Sequence, residues 1–138
     1  MLTEITPPSQ APTLPPSTLY ERLGGTPGIT AIVDDIVLAH LENPTIRARF
    51  EPYLADPERV ALIKRHTVQF LAMGTGGPAG YEGKDMRDAH RGMNISAEEF
   101  VAAVDDIMLV LRRHDIDEAT RRDVLAISYS LKSEIVRV

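Results

Sequence analysis

Residues 56–95 read DPERVALIKRHTVQFLAMGTGGPAGYEGKDMRDAHRGMNI, and this stretch contains two histidines in two different settings. It begins with a helix start, because Asp56 can cap free backbone amides and Pro57 at the first helical position loses no hydrogen bond. We therefore expect a helix over about residues 57–73. At about 100° per residue, one face of this helix contains Val60, Ile63, Thr67, Phe70 and Leu71. His66 lies on the edge of that face, and the helix alone predicts a boundary histidine with its ring over the core and one nitrogen in water.

The second histidine follows a break in the helical pattern. Glycine and proline dominate residues 75–84, which we expect to form a long loop. Residues 85–90 can then form one or two helical turns before Gly92. A helix that short cannot hold itself in water, so something must pin it, and a bond from His90 to a metal would do so. The helix dipole alone also favours a histidine at a helix end, so both interpretations stay open.

The segment before this stretch predicts three further helical elements. Ser17 or Thr18 can cap a short first helix that runs to Leu23 and ends at two glycines. A second helix over about residues 27–42 is expected to start with Thr26 as its cap. Its apolar stripe consists of Ile29, Ile32, Val33, Ile36, Val37 and Leu41. Ile46 and Phe50 are expected in a short turn or helix.

The segment after His90 predicts two more helices. Ser96 and Glu99 have the spacing of a capping box, and the apolar stripe that follows predicts a helix to about His114. Asp117 is expected to cap a last helix with Val124, Ile127, Leu131 and Ile135 on one face. No segment shows the alternation typical of a strand, so the predicted fold class is all-α.

Composition restricts the class of protein. The 138 residues carry a net charge of −5 and no cysteine, which indicates one acidic domain without disulfides. Basic residues are dispersed, so we expect no nucleic-acid partner. Residues 1–17 are rich in proline and are expected to form a disordered, flexible tail before a domain at 18–138. Neither a secretory signal nor an apolar run that could span a membrane is visible, so we expect a cytoplasmic protein without a membrane partner.

A family resemblance emerges from the order of the motifs between Thr18 and the C-terminus. In sequence order they are Leu19-Tyr20-Glu21-Arg22-Leu23-Gly24-Gly25, Phe50, Phe70-Leu71, Gly76-Gly77-Pro78, Tyr81, Gly83, Met86-Arg87 and Ala89-His90. Each motif is weak singly, but the succession resembles the truncated haemoglobins, specifically their group 1. The resemblance implies a truncated globin-like two-over-two helical sandwich. It also implies haem b as cofactor, with His90 as the proximal ligand of the iron.

A haem site needs apolar walls and polar groups at its rim. For the walls we nominate Phe50, Ile63, Phe70 and Met86. The resemblance places Tyr81, Lys84 and Lys64 near the propionates. Phe50 as a plain core aromatic and the lysines as solvated surface residues remain alternatives.

The distal side departs from the commoner family pattern. By the resemblance, Val37 stands where many members have a tyrosine, and Thr67 stands where a glutamine is frequent. His66 matches a histidine that binds iron in some cyanobacterial and algal members. The sharper hypothesis is a resting iron that is six-coordinate through His90 and His66, and the alternative is His66 as a gate over an open apolar pocket. His40 and His114, near helix ends, are expected to face solvent and are not assigned to iron.

These features place reversible binding of a diatomic gas (oxygen, nitric oxide or carbon monoxide) first among the functions, with no catalytic residue assigned. One alternative is an enzyme, namely a nitric oxide dioxygenase supported by a reductase or a protein with peroxide or nitrite chemistry. Another is one-electron transfer, and a non-haem helical interaction module is the last. Loss of the distal tyrosine donor weakens the dioxygenase. We expect a monomer or a weak homodimer.

Overall fold

The computed structural model describes residues 17–138, which form α-helices joined by short connections and by one long loop between residues 74 and 86. In chain order these are α1 (Leu19–Arg22), α2 (Gly25–Glu42), α3 (Arg47–Phe50) with a 3-10 helix at Glu51–Ala55, α4 (Pro57–Gly74), α5 (Met86–His90), α6 (Ala97–Arg113), α7 (Glu118–Ser130) and α8 (Lys132–Ile135). Between residues 17 and 138 the one β-type pairing is an isolated bridge joining Ile95 to Val136. The all-α prediction is confirmed. The tail was predicted over residues 1–17, and all of it except Ser17 lies outside the described residues.

Helix α2 is the centre of the packing. It packs against both α4 and α6, and α6 in turn packs against α7, so that two helical pairs are joined through α2. The core consists of Leu23, Ile29, Ile32, Val33, Ile36, Ala39, Ala72, Val110, Leu111 and Val124. Four of the six residues predicted for the α2 stripe are in this core. Val37 and Leu41, the other two, are half-buried on the flank of α2. No helix of the described residues is long and apolar enough to cross a membrane.

Most predicted helix starts are confirmed by their hydrogen bonds. Thr18 and Ser96 form complete capping boxes, and the side chains of Asp56 and Asp117 accept from backbone amides of the first turn. The expectation for Thr26 is wrong. Helix α2 begins at Gly25 after Gly24, whose φ of +94° favours glycine.

The reason for the earlier start of α2 is a tyrosine that lies six residues before the threonine. The Tyr20 hydroxyl lies 2.6 Å from the Thr26 hydroxyl and 2.9 Å from the Thr26 backbone nitrogen, which donates to it. The amide that a cap would have served is therefore satisfied by Tyr20.

The predicted last helix is also divided. Helix α7 ends at Ser130, Leu131 is its C-cap, and α8 follows at once. The Ser128 and Ser130 hydroxyls donate to the carbonyls of Val124 and Ile127 at 2.9 and 2.5 Å. Such bonds compete with the backbone ladder and often bend a helix. The break allows α8 to pack against α5 while α7 stays against α6.

A bidentate ion pair joins α3 to the start of α6. The Arg49 Nε and Nη2 atoms donate to the two Glu99 carboxylate oxygens at 2.6 and 2.8 Å, and Nη1 donates to the Met93 carbonyl at 2.7 Å. Arg49, with help from the Ser96 backbone amide, lowers the pKa of Glu99 from 4.5 to about 2. Stabilisation by ionised Glu99 is thus fully present above about pH 4.5 and is lost as the pH falls toward 2.

Replacement of Arg49 by alanine is expected to lower the free energy of unfolding at pH 6 by about 1.5–3 kcal/mol, as for hydrogen bonds to a charged group. The cost should shrink as the pH falls from 5 to 3, because Glu99 then becomes protonated in the unfolded chain, and folding with the Arg49 pair intact has to remove that proton. Urea unfolding across this pH range measures both effects. Arg47→Ala is the control, since Arg47 forms a more exposed pair with Glu51 at 3.3 Å, and should cost about 0.5 kcal/mol or less. A cost for Arg49→Ala that is constant from pH 6 to pH 3 would contradict the assignment.

Candidate functional site

The orientation of His90 is set by a backbone hydrogen bond within α5. Its Nδ1 atom lies 2.8 Å from the carbonyl oxygen of Met86, one turn earlier. A carbonyl only accepts, so Nδ1 must carry the proton. In the neutral ring Nε2 then has a free lone pair, and such a nitrogen is the usual metal ligand of histidine.

Helix α5 is held by the protein itself. The Asp85 side chain caps it by accepting from the Asp88 amide at 2.7 Å. Helix α8 packs along it, and the Gly92 amide donates to the Val138 carbonyl at 3.2 Å. We expected that a helix this short needs support from elsewhere in the chain, and α8 and the residues after it provide that support.

An apolar cleft opens between α2, α3, the 3-10 helix and α4. It is lined by Val37, Leu41, Phe50, Tyr53, Leu54, Val60 and Ile63. Three of these, Val37, Phe50 and Ile63, are predicted site residues, and the structure brings them together. Leu41 and Val60 lie one turn from Val37 and Ile63, so helical periodicity could have found them. Tyr53 and Leu54 lie on the 3-10 helix, where no periodic signal exists.

The long loop folds back onto α4. The Tyr81 ring meets His66 and Phe70 edge to face, with centroid separations of 6.1 and 5.4 Å. Its hydroxyl donates to the carbonyl of Lys84, whose side chain is exposed. Burial, with a contribution from Asp85, raises the pKa of Tyr81. The structure thus places Tyr81 and Lys84 together, with His66 and Phe70 beside them.

Two polar side chains of α4 have partners that the sequence did not indicate. The Thr67 hydroxyl donates to the Ile63 carbonyl at 2.8 Å, so its proton is committed within the helix. The Lys64 ammonium lies 3.2 Å from a carboxylate oxygen of Asp34 and links α4 to α2. Of the predicted distal groups, therefore, Thr67 offers an oxygen but no free proton.

The expectation that His40 faces solvent is wrong. Only 7% of the residue is exposed, and its Nδ1 lies 2.8 Å from a carboxylate oxygen of Asp106, which is also buried. The Asn43 amide donates to the same carboxylate at 3.1 and 3.2 Å. Burial lowers the pKa of His40, although Asp106 opposes that shift. The ring also stacks on Phe50 with a centroid separation of 4.9 Å and an angle of 28°.

His114 is closer to the expectation, although it is not free in solvent. Its Nε2 lies 2.7 Å from a carboxylate oxygen of Asp35, and 24% of the side chain is exposed. This contact links the end of α6 to α2.

Comparison with known proteins assigns the fold. The family model described as bacterial-like globin matches residues 18–136. A group 1 truncated haemoglobin of Synechocystis sp. is 30% identical over 116 residues, which cover 81% of this chain and 90% of that protein. This chain is a group 1 truncated haemoglobin. A second relative of this truncated haemoglobin, from Tetrahymena pyriformis, is 31% identical over 121 residues, which cover 80% of this chain and 96% of that one.

Solved structures confirm the two-over-two architecture of this truncated haemoglobin. The Fe(III) form of the truncated haemoglobin from Tetrahymena pyriformis superposes with a TM-score of 0.77 at 24% identity, and it covers 88% of this chain and 100% of that one. The haemoglobin of Chloroflexus aurantiacus superposes with a TM-score of 0.72 at 25% identity over 88% and 99% of the two chains.

Replacement of Asp106 by alanine is expected to lower the free energy of unfolding of this truncated haemoglobin by about 2–3 kcal/mol, because it leaves the buried His40 ring and the half-buried Asn43 amide without their acceptor. Asp105→Ala is the matched control. Asp105 is the exposed neighbour on the same helix, and its loss should change stability by about 0.5 kcal/mol or less. Urea unfolding at pH 7 compares the two variants. Equal effects would show that the buried pair does not stabilise the fold.

Proposed function

We propose that this truncated haemoglobin holds haem b through His90 and reversibly binds a diatomic gas: oxygen, nitric oxide or carbon monoxide. The observation that carries the proposal is the hydrogen bond from His90 Nδ1 to the Met86 carbonyl. It fixes the tautomer and the ring plane, as the outer partner of a metal-ligating histidine does. Haem would supply the iron that a gas binds, with an imidazole as its axial ligand. Membership of the globin family supports haem as the cofactor.

The residues around the cleft fit a cofactor with large apolar faces. Phe50 and Ile63 line the cleft, and Phe70 and Met86 are half-buried on α4 and α5. We propose these four as the walls. Tyr81, Lys84 and Lys64 are proposed near the propionates. For Lys64 such a contact competes only with its partly exposed pair with Asp34, and a pair of that kind contributes about 1 kcal/mol or less.

On the distal side the proposed polar group is His66. Val37 contributes an apolar side chain to the cleft, and the Thr67 proton is used by the Ile63 carbonyl. His66 on α4 is therefore the distal side chain that could bind the iron. We propose that His66 is the second axial ligand at rest and that an incoming gas displaces it.

Replacement of His66 by leucine tests this coordination. The haem-loaded protein is expected to have a low-spin ferric absorption spectrum, and His66→Leu should convert it to a high-spin spectrum because one strong axial ligand is removed. Thr67→Val is the matched control, since it removes only a hydroxyl that is already bonded inside α4, and it should leave the spectrum low-spin. A low-spin spectrum that persists in His66→Leu would refute the role of His66. Failure to bind stoichiometric haem would refute the proposed function as a whole.

A further inference from the structure

The loop that follows α4 is fastened to it by a reciprocal pair of side-chain hydrogen bonds. The Gln69 amide nitrogen donates to a Glu82 carboxylate oxygen at 2.9 Å, and the Glu82 backbone amide donates to the Gln69 amide oxygen at 3.2 Å. Together they hold the backbone of residue 82 against the second half of α4. The neighbouring residue, Tyr81, is therefore held close to the same helix.

The Tyr81 ring is seated by a glycine. A Cβ atom added at Gly83 would overlap the Tyr81 hydroxyl oxygen and lie 2.6 Å from its Cζ, so any other residue at position 83 would displace the ring. The hydroxyl donates to the carbonyl of Lys84. The two contacts fix the position and the direction of the ring.

His66 lies on α4 between a residue that lines the apolar cleft and a residue that packs against Tyr81. Ile63, one turn before it, lines the cleft, and Phe70, one turn after it, packs against Tyr81 at 5.4 Å. The His66 ring itself meets Tyr81 edge to face at 6.1 Å and 76°. A contact of this kind depends on the ring edges and faces rather than on a lone pair. The imidazole thus keeps its ability to bind a metal when it leaves Tyr81.

We propose that Tyr81 is a positioning residue for His66, which it holds on the loop side and so in competition with the iron. The inference rests on the proposed role of His66 as second axial ligand. Only a contact that differs between two states shifts their equilibrium. In this proposal the Tyr81 contact is made when His66 is away from the iron and is lost when His66 binds it, so the contact favours entry of a gas. An aromatic pair of this strength shifts such an equilibrium by about two- to tenfold.

The test is a double-mutant cycle on the haem-loaded, full-length protein. Rapid mixing of the ferrous form with increasing carbon monoxide gives the rate of His66 departure at saturation and, from the dependence on carbon monoxide concentration below it, the rate of His66 return. The ratio of the two rates is the equilibrium constant for His66 binding. Tyr81→Ala is expected to increase that constant about two- to tenfold and to lower the affinity for carbon monoxide by the same factor. Gly83→Ala, which displaces the Tyr81 ring without removing it, should shift both values in the same direction.

Two controls separate positioning from general loosening. Tyr129→Ala removes a more exposed tyrosine that also forms an edge-to-face pair, with Phe100 at 5.5 Å, and that is remote from His66 in sequence. It should change neither value. In a His66→Leu background, Tyr81→Ala should no longer affect carbon monoxide affinity. Nuclear Overhauser contacts between the His66 and Tyr81 ring protons are expected in the carbon monoxide complex of the unmodified protein, which requires no variant to fold.

The outcomes distinguish this inference from the function on which it rests. If His66→Leu changes the ferric spectrum but Tyr81→Ala leaves the His66 equilibrium unchanged or weakens His66 binding, the positioning role is refuted and the coordination stands. The same holds if the Tyr81→Ala effect persists without His66 or if the ring contacts are absent. If His66→Leu changes nothing, the coordination fails and the positioning role fails with it.

Discussion

The residue on which the proposed function depends lies on a helix of five residues, Met86–His90. A helix of that length is not stable through its own hydrogen bonds, so its position must come from other parts of the chain. Helix α8 provides most of that support, and α8 can reach α5 only because the chain turns at Leu131. An uninterrupted last helix would have kept all of its residues on the axis of α7. The break near the C-terminus is therefore a requirement of the site.

A second constraint is the buried polar cluster at the end of α2. His40, whose pKa is lowered by burial, and Asn43 both donate to the Asp106 carboxylate. Buried polar groups are costly without partners. The packing of α2 against α6 is therefore fixed at this point by directional hydrogen bonds as well as by apolar contacts. Phe50 stacks on the His40 ring and at the same time lines the cleft. The wall of the cleft is thus supported from behind by a hydrogen-bonded ring, which cannot rotate without losing its acceptor.

The sequence predicted what local chemistry determines. Three helix starts were predicted from capping residues whose partner amides lie three residues later in the chain. The structure confirms all three, at Asp56, Ser96 and Asp117. The prediction that Thr26 caps α2 failed because Tyr20, six residues earlier, accepts the hydrogen bond of the Thr26 backbone amide. The prediction that His40 faces solvent failed for a similar reason, because its partner Asp106 is 66 residues away in the chain. In the site, periodicity brought Val37 and Ile63 to one cleft, but nothing in the sequence placed the Tyr81 ring against His66. The cofactor roles of these residues stay predictions.

The two sides of the site are held by different kinds of force, and this has a consequence for function. The orientation of His90 depends on the backbone carbonyl of Met86 and on helix packing, which many side chains at position 86 would leave intact. The distal side depends on the identity of side chains, because His66 meets a ring that a glycine accommodates and Val37 offers no donor. Substitutions can therefore alter the distal side while the support of His90 stays unchanged.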